Sequence, residues 1–364
     1  MRVLSERTLT ASFLARQLLL ERRSLPVAEA IRHLGALQAQ YSPSPHIALH
    51  ARLDGFQQAD LEAALRDRTV VKATLMRGTL HLVAASDYAA FAAAWHPQAR
   101  AAMRTRARAA TPHEEEIATA LAAFIAEPRS TDAIRAKARE LARGAIPDPL
   151  LLDYARTILP LVHVPPSGYW RQHGKPSLVA WPGPLPEAPA ATALLVRRYL
   201  TAYGPATRED IAHFTYLRFR QIDPALAALA PLRRFTDAQG RELLDLPQGP
   251  IIDDDRSLPV RFLAKWDAAV ISHRDRARIF PAEYQARLTP IANGTVLSSY
   301  LIDGKVAGVW SQSREGAVAT LTLQPFAPQP EPFPAEMEEE GERLLTFLAP
   351  EATERRIVVA PPAA

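Results

Sequence analysis

Residues 69–83, "TVVKATLMRGTLHLV", decide how the chain is read. β-Branched and apolar residues fill both halves and Arg77-Gly78 sits at the centre, so the stretch reads as two strands around a turn. Three segments with helical spacing precede it. Residues 10–22 place Phe13, Leu14, Leu18 and Leu19 at that spacing. Residues 26–38 open with Pro26, a good first-turn residue, and set Val27, Ala30, Ile31, Leu34 and Leu37 on one face. A third helix covers about 58–67. Helix, helix, helix and then a hairpin is the pattern of a winged helix, which a further helix at about 86–108 extends.

The same order recurs twice. Thr111-Pro112-His113-Glu114 has the residues of a helix start: a capping Thr, Pro at the first helical position and Glu at the third. That helix runs to about 126. Ser130-Thr131-Asp132 opens another to about 143, and a third covers about 149–156. Residues 161–181 then read as a long hairpin with a Gly/Pro-rich tip. In the third copy, residues 191–205 form a helix and Thr207 with Asp210 starts the next in a capping-box arrangement. A helix at about 223–229 leads to a hairpin over 232–246, turning at Asp237 to Gly240.

The last region changes character. Residues 298–310 alternate around Asp303-Gly304, a strong two-residue hairpin signal, and 317–326 supply another strand. Residues 325–334 are a Pro-rich connector, and 335–348 form an amphipathic helix with Met337, Leu344, Leu345 and Phe347. The expected fold is mainly α with β-hairpins, an α+β class. It has three tandem winged-helix modules at 1–110, 111–186 and 187–250, then a β-rich region or partial barrel at 251–364.

Composition narrows the class. Hydrophobic residues make up 48 % and charged residues 23 % of the 364, a globular balance. There is no cysteine, which excludes disulfides and thiolate zinc sites. No apolar run has signal-peptide character or the length of a membrane span, so the expected location is the cytoplasm. The net charge is +4, and only five of the 43 basic residues are lysines. Arginine suits bidentate phosphate contacts, although an Ala/Arg/Pro-rich proteome explains the bias equally well.

The segment "LGALQAQYSPSP" (34–45) raises a chemical question. Positions i and i+2 of a helix do not share a face. Pro43 disfavours helix at Ser42, so the helix is expected to end around Gln38 to Tyr41. Gln38 and Gln40 can then converge off the helical path, where two amides would hold one water or aim two dipoles at a developing charge.

Together with "LMRGTLHLV" and "WDAAVISHRDR" (266–276), this segment resembles the AlkZ-type DNA glycosylases, and the resemblance covers nearly the whole chain. It implies that Gln38 and Gln40 are the catalytic pair, in the Gln-x-Gln branch, since relatives in another branch carry Asp at the second position. It also implies N7-alkylguanine substrates, including bulky natural-product adducts and interstrand crosslinks, with roles in repair or antibiotic self-resistance. The chemistry is consistent with that. N7-alkylation places positive charge on the leaving base, so no strong acid is needed, and neutral amides suit a cationic sugar transition state.

The remaining candidates carry two readings each. Arg77 at the first turn is a phosphate contact or a structural arginine, and His81 sits near the site or in the fold. Tyr169, Trp170 and Arg171, in a tip that also holds His173 and Lys175, track phosphates and bases or cap the core. His273, Arg274 and Arg276 are placed near DNA by the resemblance. Arg100, Arg104, Arg106 and Arg108 line a basic helix face. His46 and His50 are four apart, but with no third ligand no metal is expected. The sequence as a whole points to a monomeric, cofactor-free, monofunctional glycosylase acting on duplex DNA. Its rival is a non-catalytic winged-helix regulator.

Overall fold

A computed structural model describes residues 1–107, 113–172, 174–253, 257–290, 294–328 and 335–362. Three small sheets, each built on a hairpin, recur along the chain. In the first, Val70–Thr74 pairs antiparallel with Leu80–Ala84, and Leu37–Gln38 adds to the second strand with Gln38 opposite His81. In the second, Leu161–His163 pairs with Ser177–Ala180, and Arg129–Ser130 joins the outer edge. In the third, Arg233–Thr236 pairs with Glu242–Asp245, and Arg2–Val3 joins in parallel. The architecture is a mixture of helices and small sheets.

The C-terminal region is β-rich, as expected, but among the described residues it is an open sheet rather than a partial barrel. Its strands are Arg261–Leu263, Ser299–Ile302, Lys305–Glu315, Val318–Pro325 and Glu354–Val359, in that order. The last strand enters parallel to its neighbour after the helix Ala335–Leu348, so it lengthens the sheet instead of closing it.

Local chemistry explains most helix ends. Ser5 caps the first helix, Glu6–Arg16, by accepting from the Thr8 N–H, so this helix lies earlier than the 10–22 expected. The second helix, Val27–Leu34, stops four residues short of the expectation because Gly35 follows at φ 77°. Pro43 then opens the helix Pro43–His50 as an N-terminal residue instead of ending the one before. Thr207 and Asp210 make both bonds of the capping box that starts Arg208–Thr215. Thr111, Pro112 and Arg108 lie outside the described residues, as do 329–334 of the Pro-rich connector; the helix after Pro112 begins at Glu114.

The main core joins Phe13 and Leu14 of the first helix to Phe91, Val196, Leu200, Phe214 and Phe280. A second core packs Leu37 and Leu82, on the other face of the first sheet, against Trp310, Leu321 and Leu345 of the C-terminal region. The second helical unit has its own smaller core around Leu121, Ile134, Leu151 and Tyr154. Two fully buried ion pairs cross the assembly. Arg16 donates to both oxygens of Asp245 at 2.9 and 2.8 Å, and Arg52 does the same to Asp267 at 2.9 and 2.7 Å. Gln17 ties the second pair in, donating to the Ala202 carbonyl and accepting from Arg52.

Candidate active site

A short strand, not a helix end, presents Gln38, and Gln40 follows two residues on at a bend. Leu37–Gln38 hydrogen-bonds along Leu80–Ala84, and the Ala39 N–H continues the ladder to the Leu80 carbonyl at 2.7 Å. Side chains two apart share a face in extended chain, so the local geometry favours a shared face more than a helix would. The two differ in setting. Gln38 is only 9 % exposed, whereas Gln40, at a bend, is exposed. Among the described residues no hydrogen bond joins their side chains.

Arg77 holds Gln38. The first hairpin turns through Arg77 at φ 59° and Gly78 at φ 70°, and is closed by the Leu75 N–H donating to the Thr79 carbonyl. The left-handed conformation at Arg77 turns its guanidinium inward. Nη2 donates to Gln38 Oε1 at 2.9 Å and Nη1 to the Phe214 carbonyl at 2.9 Å, with the group 4.7 Å above the Phe214 ring. The guanidinium is therefore engaged by the protein instead of standing free at the turn for a phosphate.

His81, paired with Gln38 across the strands, completes the cluster. Its Nδ1 lies 3.0 Å from the Thr79 carbonyl, which fits an Nδ1–H donor, and its Nε2 is 3.5 Å from Arg77 Nη2. Burial, aided by the Arg77 charge, pushes its pKa down to about 3. His81 is thus neutral at physiological pH and is no proton donor there. His213 is also lowered, by burial first and then by Arg276 and Arg77.

Gln40 opens onto a different space. It lines a cavity of about 330 Å³ between the first sheet and the second hairpin, together with Lys72, His163, Ser167, Gln172 and Lys175. Lys72 is 6 % exposed, and burial pushes its ammonium down to about 8. Sequence reading passed over it, although a lysine inside "VVKAT" is a legible anomaly in a buried strand. It also missed Phe214 and His213, which reach the cluster only through tertiary packing.

The other candidates fall into three settings. The tip of the second hairpin folds back on the protein: Trp170 packs edge-on against His46 and Phe347, and its backbone N–H donates to the Glu62 carboxylate. Tyr169 is half-buried in the same cluster, and Arg171 donates to the Leu348 carbonyl. His173 lies outside the described residues. His46 and His50 serve this packing. His46 bonds the Gly168 carbonyl and His50 stacks on Phe347, while the described residues hold no cluster of His, Asp and Glu suited to a metal.

In the segment 266–276, His273 is buried, bonded through its ring nitrogens to Ser272 and to the Tyr203 carbonyl, and it does not reach the surface. Arg274 is exposed beside Arg208 and Arg241, and Arg276 is half-buried near Arg77. Arg100 donates to carbonyls of the second helical unit, while Arg104 and Arg106 pair with Glu114 and Asp153.

No helix among the described residues is long and apolar enough to cross a membrane. A comparison with the curated proteins gave no match. Among solved structures, the chain is similar to Streptomyces sahachiroi DNA glycosylase AlkZ. The TM-score is 0.80 at 19 % identity, over 99 % of this chain and 100 % of that one. At that identity the likeness speaks for the fold. The family model "DNA glycosylase AlkZ-like" matches residues 31–347, a span that holds both glutamines, Arg77 and the 266–276 segment, and the chain belongs to the AlkZ-like DNA glycosylase family.

Proposed function

We propose that the protein hydrolyses the N-glycosidic bond of N7-alkylguanine-type adducts in duplex DNA, using Gln38 and Gln40. The observation that carries this reading is the anchored amide. Arg77 occupies the Gln38 oxygen and keeps the side chain in place, at the end of a strand whose next residues reach an accessible cavity. His81, the titratable group beside it, is neutral and cannot protonate a leaving base. A neutral His81 beside Gln38 suits a base that already carries positive charge. Gln40, exposed and unengaged by protein among the described residues, would orient the water and offer its carbonyl to the sugar cation, with Gln38 held nearby in the chain by Arg77. Water is the nucleophile in this step, so base release needs no covalent intermediate.

The Gln-x-Gln pattern supports placement in the corresponding branch of the family. The three hairpin sheets, each following helices, support three winged-helix modules around duplex DNA, with the boundaries given above. Arg274 and Arg276 remain the best-placed phosphate contacts of the 266–276 segment. The open setting of Gln40 favours bulky or crosslinked adducts over small bases flipped into a closed pocket. A role in repair or in self-resistance to a DNA-alkylating product follows from that substrate class. The reading is of a cytoplasmic monomer.

The test is release of N7-methylguanine from a duplex, with alkali-labile sites as the second readout. Gln38→Ala/Gln40→Ala should lose about 100-fold or more. Wild-type protein no better than this double variant would end the reading for that lesion. Tight binding to one undamaged sequence would favour a regulator instead.

A further inference from the structure

Lys72 is a buried lysine, 6 % exposed, in the first sheet. It lies on the strand Val70–Thr74, opposite Leu82, in a row of apolar residues that face the second core. Among the described residues its amine has no hydrogen bond and no ion pair. Its stem is confined by the second hairpin: a Cβ at Gly168, where φ is 110°, would lie 3.6 Å from Lys72 Cδ. Lys72 lines the cavity of about 330 Å³ whose wall also includes Gln40.

The charged and titratable neighbours do not neutralise it. His163 lies across the cavity and His46 beside the Gly168 carbonyl, and burial keeps both imidazoles neutral at pH 7. Lys175 is committed to Asp132 at 2.5 Å. A buried lysine without a carboxylate is costly as a structural element. It is useful as a nucleophile, because amine lysines add to carbonyls.

The proposed base release makes such a carbonyl, since an abasic deoxyribose opens to an aldehyde at C1′. We propose, against the monofunctional reading above, that Lys72 is the nucleophile of a second activity, an abasic-site lyase acting on the product of base release. This rests on the reading that places Gln40 beside the reacting sugar. The Lys72 nitrogen adds to C1′, and the carbonyl oxygen leaves as water, giving a protonated imine. Loss of the C2′ proton to solvent then places a double bond between C2′ and C3′ and expels the 3′-phosphate with its bonding pair. The strand is cut, leaving a 5′-phosphate on one side and an unsaturated imine on the other. Water hydrolyses the imine and returns the amine. With the ammonium down at about 8, about half of Lys72 is free amine at pH 8, against under about 1 % for an ordinary lysine.

The experiment uses the full chain and a duplex whose single abasic site is made beforehand from uracil. Borohydride is added during incubation, the covalent complex is separated under denaturing conditions, and the modified peptide is mapped. The proposal expects a borohydride-dependent complex carried on Lys72 in wild-type protein, with strand cleavage before borohydride. Lys72→Met should lower trapping at least tenfold, while Lys305→Met, altering a surface lysine paired with Glu6, should not change it. Peptide mapping on wild type decides the matter even where Lys72→Met fails to fold. No complex above that seen with intact duplex, or an adduct on another amine, overturns the proposal. N7-methylguanine release measured in parallel keeps the two readings separate. Base release without trapping sinks the lyase alone, and trapping on Lys72 without base release sinks the lesion assignment alone.

Discussion

Arg77→Met isolates the contact that fixes the proposed catalytic amide. Methionine keeps the length and the left-handed backbone cost of the native residue but removes the guanidinium. Gln38 Oε1 loses a charge-assisted donor at 2.9 Å, and the Phe214 carbonyl loses another at 2.9 Å. A hydrogen bond to a charged group contributes about 1.5–3 kcal/mol. If the Gln38 bond serves to aim the amide in the transition state, its loss slows base release by about 10- to 150-fold. The Phe214 bond enters stability instead, at about 1–3 kcal/mol. Single-turnover release of N7-methylguanine at saturating protein reports the first quantity, and denaturant unfolding the second. DNA affinity, measured separately, should change little, because Arg77 is turned inward. A release rate within twofold of wild type would refute the anchoring argument. So would a loss confined to affinity, which would make Arg77 a phosphate contact after all.

Acid should unfold the protein early. Burial holds His46 and His96 at about 4 and His50, His81 and His273 at about 3, below the unfolded value of 6.5. The unfolded chain therefore binds the extra protons, so stability is full above about pH 6.5 and falls as pH drops toward 3–4. At pH 5 each histidine costs about 2 kcal/mol, and the five together rival a whole folding free energy. Thermal unfolding between pH 7.5 and 4.5 should show a flat midpoint above pH 6.5 and a steep fall below 6; a flat profile to pH 5 would contradict it. Asp245→Ala strands the buried Arg16 guanidinium and should cost about 3–5 kcal/mol in urea unfolding. Asp253→Ala, which breaks an exposed pair with Arg2, should be nearly silent by comparison.

What was legible in the sequence was local. Thr207 and Asp210 announced their helix because a capping box is complete within four residues. Asp303-Gly304 announced its hairpin because the turn needs positive φ at both positions, here 47° and 78°. The catalytic segment was harder. Gly35 was a visible stop signal, but the apolar spacing of Leu34 and Leu37 ran past it and drew the helix too long. The strand that replaced the helix end is two residues long, below the length at which alternation can be seen. Pro43 is compatible with either end of a helix, and the weight given to its effect on Ser42 hid its role as an opener. His273 reads as a surface group and Trp170 is left between tip and core, because nothing local says what will cover them. Tyr203 covers the first from 70 residues away and Phe347 the second from the last helix. Lys72 is the reverse case, an oddity visible among its apolar neighbours and nonetheless passed over.

The pairing of Arg16 with Asp245 also sets a clock on synthesis. The two residues are separated by 229 positions. At about 5–20 residues per second a ribosome needs on the order of ten to fifty seconds to deliver the second after the first. Throughout that interval the helix Glu6–Arg16 lacks the carboxylate for its arginine, and for most of it also the Ala188–Tyr203 helix against which Phe13 and Leu14 pack. The first helix to emerge is thus among the last to find its place. A chain that stops before Ala188 keeps that helix exposed, a signal by which proteases can sort unfinished molecules from finished ones.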